Sequence, residues 1–237
     1  MIYEIVLYPL FILAMIVSLY AQIKVNSTYK KYSALSTGHG KSAADVARMI
    51  LTSSGVHDVR IEHVPGHLTD HFDPRARVLR LSDSVYYSSS AAAVGVAAHE
   101  AGHALQHSEG YIPIRIRGAL VPITNFASRA AWIVILLGVL IDAFAQAVSY
   151  GYYIILFGIA LFSMTALFQL VTLPCEFNAS ARALSHMEAS GWYTRSELSA
   201  SKKVLSAAAM TYVAALFVTI IQVLRLVVIF TGRGRRR

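Results

Sequence analysis

Ala98-His-Glu-Ala-Gly-His-Ala-Leu-Gln-His107 is the stretch from which the rest of this 237-residue chain is best read. It lies in the run Ala91 to His107, which is rich in alanine and free of proline, so a helix is expected there. On a helix, residues four apart are separated by about 40° and one turn, so the imidazoles of His99 and His103 can share one metal ion. Glu100 projects beside them, where a carboxylate can take a proton from a water on that ion. With nine His and seven Glu in the chain, chance gives His-Glu-x-x-His in roughly one such sequence in a hundred. Two histidines and a glutamate in the middle of an apolar helix are also costly to bury without partners. The pattern predicts a zinc site.

A catalytic zinc needs a third protein ligand and one open position. A histidine ten residues after His99 is one known solution, but that position is Glu109, and Gln106 stands where the accompanying glycine would be. His107 lies eight residues from His99, about 12 Å along the same helix, too far to share a tetrahedral ion with it. It reads as a group near the ligands or at the surface. Asp142 sits at the end of an apolar run and would suit a protease with its chemistry inside the membrane. Glu176, in Pro174-Cys-Glu-Phe-Asn-Ala-Ser-Ala-Arg182, follows a proline that ends an apolar run and reads as the opening of a helix. Two apolar runs separate it from His103, and two crossings return a chain to the side it left. Glu176 is the favoured ligand and Asp142 the alternative. A helix-start acid held by the macrodipole is the bland reading of Glu176, and Cys175 beside it reads as a packed thiol.

Outward from the zinc helix, residues 24–118 hold most of the acids and eight of the nine histidines. Ser42 to Leu51 reads as a helix capped by Ser42, with Ala43, Val46, Ala47 and Ile50 on one face. Val59 to Val64 and Arg77 to Ser82 alternate like strands, and Pro65-Gly66 marks a turn between them. The remainder is mostly apolar. Ile2 to Ile23 is long enough to span a bilayer, lacks a basic start and a cleavage site, and reads as an uncleaved anchor. Asn125 to Ala145 and Tyr152 to Leu173 read as two further spans, the second closed by Pro174. A polar segment, Glu176 to Lys203, reads as helical at first. Val204 to Phe230 is a fourth apolar run, interrupted by Gln222 and Arg225, before the tail Arg233-Gly-Arg-Arg-Arg237.

Composition agrees. Hydrophobic residues make up 56% and charged residues 14%, against about 25% charged in soluble domains, and the mean hydropathy is +0.53. These values exclude a disordered chain, a coiled coil or collagen, and argue against a purely soluble enzyme. The single cysteine excludes a disulfide framework and a four-cysteine zinc site. The net charge of +8 lies beside the apolar runs, where it meets lipid headgroups rather than nucleic acid. The expected fold is a mainly α-helical integral membrane protein, with three to four membrane helices and a small α+β zincin-like catalytic subdomain. Its expected divisions are an anchor (1–23), the zincin-like domain (24–118), two spans (119–175), a helical segment with the third ligand (176–203), and an apolar helix with a basic tail (204–237).

Several strings occur in a characteristic order: the N-terminal anchor, Asp70-His-Phe-Asp-Pro74, Arg80-Leu-Ser82 with Val85-Tyr86, the extended zinc string, and Pro174-Cys-Glu-Phe-Asn-Ala-Ser180. Together they resemble the YugP-like neutral zinc metallopeptidases, multi-span membrane proteins of bacteria, over nearly the whole chain. The likeness to HtpX-type membrane proteases is more distant. The resemblance implies zinc held by His99, His103 and Glu176, with Glu100 as catalytic base in peptide-bond hydrolysis. It also implies an aspartate two residues after the ligand Glu. This chain has Asn178 there, which still accepts a hydrogen bond if that position orients a zinc histidine, but adds no charge.

His186, Tyr193 and Tyr111 are candidates to stabilise the oxyanion. The edge of the strand Arg77 to Ser82 is a candidate to hold extended substrate through backbone bonds. His57, His63, His67 and His71 read as solvated loop histidines rather than a second metal site. The expected partners are peptide or protein substrates, membrane proteins among them, and the lipid bilayer. Lys24, Lys30, Lys31, Arg115, Arg117, Arg182, Lys202 and Lys203 flank the spans on the side of the zinc site, and the loop between the second and third spans has no Lys or Arg. The positive-inside rule then places the site at the cytoplasmic face of the bacterial inner membrane. The arginine tail conflicts with this if Val204 to Phe230 crosses fully: either that run is a re-entrant or interfacial helix, or the whole protein is inverted, and the cytoplasmic reading is the one kept.

Overall fold

The computed structural model describes residues 2–144 and 150–234. In chain order the elements are α1 (Ile2–Tyr32), α2 (Ala43–Ser53), β1 (Arg60–Val64), β2 (His71–Asp73), β3 (Val78–Ser82), α3 (Ala91–Ser108), α4 (Ile112–Phe144), α5 (Tyr150–Ala189) and α6 (Arg195–Gly234). The connection between α4 and α5, with the end of the second expected span, lies outside the described residues, as do the last three residues of the basic tail.

α1, α4, α5 and α6 are each long and apolar enough to cross a membrane. Their large side chains face outward: Ile12, Leu13, Ile16 and Leu19 of α1 are all more than half exposed, as are Ile133 and Leu136 of α4. Such surfaces are stable in hydrocarbon and not in water, while each helix satisfies its own backbone hydrogen bonds. The chain is a multi-pass, mainly helical membrane protein with a small sheet.

It forms two compact units. The first takes Met1–Tyr20, Ile116–Thr172 and Tyr212–Arg237. Within it α4 and α5 approach closely at glycines, where a Cβ on Gly138 would lie 2.7 Å from Ile155 and one on Gly151 2.5 Å from the Asp142 nitrogen. Arg225, the charge in the last apolar run, rests over the rings of Phe11 (4.4 Å) and Tyr8 (5.0 Å), whose faces offset the cost of a cation at that depth.

The second unit takes Ala21–Arg115 and Leu173–Thr211. Its sheet has the order β1-β3-β2, with β1 parallel and β2 antiparallel to β3. α2 opens with a capping box between Ser42 and Asp45 and buries Val46, Ala47, Ile50 and Leu51 in the core shared with α3 and the sheet. α3 opens at Ser90, whose hydroxyl accepts from the Ala93 nitrogen. Ala91, Ala92, Ala93, Val94, Ala97 and Ala98 are wholly buried, so α3 is wrapped in protein rather than lipid.

Four expectations change. The strand expected from Arg77 begins at Val78 and is the central strand, so it offers no free edge; the edge strand β2 is only three residues long, too short for alternation to reveal it. Pro174 does not close its span: α5 runs through it, because a proline removes one backbone bond and neighbouring packing can hold the rest. Glu176 is therefore a mid-helix residue, and the macrodipole no longer accounts for it. The fourth apolar run forms part of one unbroken helix, α6, which is long and apolar enough to cross a membrane, so the re-entrant alternative falls and the interfacial one does not.

Candidate metal centre

The site is built by close approach of backbones. Gly102, between the two histidines, faces α5 so tightly that a Cβ there would lie 2.6 Å from the Ala179 carbonyl oxygen. Ala179 is three residues beyond Glu176, so this contact carries the glutamate to the histidines. On the other flank, a Cβ on Gly95 would meet Ser201 of α6 at 3.1 Å, and the Ser201 hydroxyl donates to the Ala91 carbonyl at 2.7 Å.

Glu176 Oε2 lies 3.3 Å from His99 Nε2 and 3.6 Å from His103 Nε2. The two imidazoles stand edge to face, 4.7 Å between centroids. One ligand atom from each of the three residues falls within 4.8 Å of the others, the one such group of His, Cys, Asp and Glu among the described residues. Glu176 is 3% exposed and His103 8%. Burial pushes the His103 imidazole down, but the Glu176 carboxylate and the nearby Glu100 outweigh it, and the net shift is upward. A buried carboxylate facing two imidazole nitrogens, with no lysine or arginine in the group, is a donor set suited to a divalent cation, and its N,N,O composition fits zinc.

The far nitrogens are also engaged. His99 Nδ1 lies 3.1 Å from the Ser180 hydroxyl, and His103 Nδ1 lies 3.0 Å from Gln106 Oε1. If each Nδ1 carries the proton, each Nε2 presents its lone pair toward Glu176. Glu100 is held from the sheet: the Phe72 backbone N–H on β2 donates to its Oε2 at 3.0 Å. β2 is itself pinned by Asp70, which accepts from the Ser82 nitrogen (2.7 Å) and hydroxyl (3.0 Å). Burial pushes the Asp70 carboxyl up against the lowering effect of those two bonds, and burial wins.

The other sequence candidates lie elsewhere. Asp142 belongs to the membrane unit and is outside the convergent group. His107 packs its ring on Phe72 at 5.5 Å. Tyr111 lies beneath the Arg182 guanidinium, Tyr193 packs edge-on against His39, and His186 sits in the last turn of α5. His57, His63, His67 and His71 are all exposed; His63 pairs with Asp83, His67 with the ring of Tyr29, and His71 with the Thr69 carbonyl. Asn178 bonds to neither His99 nor His103 directly. The groups that do, Ser180 and Gln106, were not singled out from the sequence, although Ser180 lies one helical turn after Glu176 and Gln106 three residues after His103, spacings that put them on the same helix faces as those two residues. Phe72 and Gly102 were missed because a backbone N–H and an absent Cβ leave no side-chain chemistry to read.

Comparison with known proteins adds an independent line. Residues 7–231 match the model of a family described as "putative neutral zinc metallopeptidase". The chain is 46% identical over 219 residues to a protein of Bacillus subtilis (strain 168) described as "putative membrane protease YugP", an alignment covering 92% of this chain and 94% of that one. No solved structure matches.

Proposed function

Because this chain belongs to the "putative neutral zinc metallopeptidase" family, we propose that it is a membrane zinc endopeptidase in which His99, His103 and Glu176 hold one zinc ion and Glu100 is the general base. One observation carries the proposal: a buried carboxylate meets two imidazole nitrogens across 77 residues of sequence and two membrane-length helices. When bound, zinc would supply Lewis acidity, making a water acidic enough to give up a proton near neutral pH and polarising the scissile carbonyl.

The remaining steps fall to the chain's own residues. Ser180 and Gln106 keep the two imidazoles in their ligating tautomer and orientation. Phe72 N–H occupies Glu100 Oε2 and leaves Oε1 to take the proton of the attacking water and pass it to the leaving amine. Within an antiparallel strand a residue's N–H and C=O point to the same side, so the Phe72 carbonyl faces outward beside Glu100 as well. An extended peptide substrate laid along β2 would donate to it, so the substrate-holding edge in this proposal is β2 rather than β3, the latter being central. Membrane proteins are the favoured substrates, and the eight lysines and arginines flanking the spans beside the site outnumber the four arginines of the tail, which favours a cytoplasmic site in a bacterial cell membrane.

The test is cleavage of an unfolded model polypeptide by the full chain in detergent, with fragments identified by mass spectrometry. Glu100→Gln should retain one zinc per chain and lose cleavage. Undiminished cleavage by Glu100→Gln would remove the base from this mechanism.

A further inference from the structure

We propose that Arg182 is a positioning residue for the metal centre, acting through Asn178 and Gln106 to fix which nitrogen of His103 faces the ion. The proposal deepens the reading of His103 as a ligand and rests on it.

A side-chain amide has a donor end and an acceptor end of nearly the same shape, so a glutamine beside a histidine can present either. The choice has consequences here. If Gln106 turned its NH2 toward His103, Nδ1 would have to accept, the proton would move to Nε2, and the lone pair facing Glu176 would be lost. Gln106 is wholly buried, so water cannot moderate the choice.

Arg182 decides it. A guanidinium donates only and stays charged. Its Nε donates to Asn178 Oδ1 at 2.8 Å, which fixes that oxygen as the acceptor end of Asn178. Gln106 Nε2 donates to the same oxygen at 2.9 Å and to the Cys175 carbonyl, another obligate acceptor, at 2.8 Å. Both amide hydrogens of Gln106 are then used. Its Oε1 is left to accept from His103 Nδ1 at 3.0 Å. The Cys175 carbonyl alone would hold one hydrogen and leave the second without a partner in a buried place; the Asn178 oxygen takes the second and is kept in place by Arg182. Outside, Arg182 is steadied by Glu109 at 2.6 Å and lies over the Tyr111 ring at 5.9 Å. A polar line thus runs from a surface carboxylate through two amides to the imidazole.

The experiment measures zinc affinity of the full chain in detergent by competition with a chromogenic chelator, and melts the metal-free protein in parallel. Gln106→Leu should weaken zinc about 10–100-fold and Arg182→Met about tenfold, the range for groups that orient ligands. The double variant should bind no more weakly than Gln106→Leu, because Arg182 acts only through Gln106. Asn178→Asp keeps an acceptor for both donors and should bind within about twofold of wild type, whereas Asn178→Leu should reproduce the Arg182→Met loss. If Arg182→Met does not fold, the Asn178→Asp and Asn178→Leu pair carries the same test. Additive losses, wild-type affinity in Arg182→Met, or equal affinity in the two Asn178 variants overturns the proposal. If wild type itself binds no zinc, the ligand set fails first and the relay falls with it.

Discussion

Replacing Gly102 with alanine sets two effects of known size against each other. In a helix interior the change favours folding by about 1 kcal/mol, because alanine is the better helix former. The added Cβ, however, would lie 2.6 Å from the Ala179 carbonyl oxygen and 3.2 Å from that residue's carbonyl carbon and Cα. These are backbone atoms of α5 and cannot swing aside as a side-chain tip would. The two helices must part by roughly 0.5–1 Å, and overpacking of that kind costs about 1–3 kcal/mol. Packing therefore wins narrowly on stability, with a net loss of about 0–2 kcal/mol. The effect on the metal is larger. Glu176 rides on the displaced helix, and metal–ligand distances tolerate only about 0.2 Å. Zinc affinity should fall on the order of 100-fold, the scale of a 1 Å misplacement at a reacting centre. Chelator competition reads the affinity, and thermal melting with and without zinc reads the fold. Gly118, where nothing lies within 4 Å of a Cβ, is the control: Gly118→Ala should be neutral or stabilising by up to about 1 kcal/mol, with unchanged zinc affinity. If Gly102→Ala behaves like Gly118→Ala in both assays, the backbone contact does not set the site.

Zinc content gives the simplest check on the ligand set: Glu176→Ala should lose the metal, Asp142→Ala should keep one zinc per chain, and the reverse result would move the chemistry into the membrane. Ser180→Ala removes the partner of His99 Nδ1 and should weaken zinc about tenfold, while Ser180→Asp should restore binding; equal affinities in the two would count against Ser180 as the orienting group. Glu197 accepts from the nitrogens of Gly38 (2.8 Å) and Thr194 (2.7 Å), so Glu197→Ala should lower stability by about 1–2 kcal/mol in a melt, and an unchanged melting temperature would contradict that role. Burial holds the His39 imidazole below its ordinary value, Glu197 opposing and Lys41 assisting. Its folded state thus favours the neutral ring, and the contribution present above the unfolded pKa of about 6.5 is lost as pH falls through the lower folded one. Wild type should lose stability more steeply than His39→Phe between about pH 7 and 5; parallel slopes would refute it.

Most of the architecture was legible because its causes are local. Long apolar runs announced the membrane helices, the Ser42 cap announced α2, and the helical spacing of His99, Glu100 and His103 announced their shared face. Glu176 was reachable by counting crossings, although its place in the middle of α5 was not, since proline ends most soluble helices but not those packed in a membrane protein. What stayed hidden depends on tertiary approach. The edge strand β2 is only three residues long, Gly102 matters through an atom it lacks, and Phe72 acts through its backbone. Asn178 reaches His103 only through Gln106, which stands between them, and a buried glutamine in an alanine-rich helix carries no mark of its partner.

The three convergent groups are also separated in time. A ribosome adding about 5–20 residues per second has completed α3 well before it reaches α5. From His103 to Glu176 is 176 − 103 = 73 residues, an interval of roughly 4–15 seconds in which two membrane helices must also be inserted. Throughout that interval the imidazoles exist without their carboxylate, and the Gly102 face of α3 has no α5 to meet it. A nascent chain is thus unarmed until α5 has been made, and a truncated product ending before Glu176 would carry the zinc string without the means to complete a site.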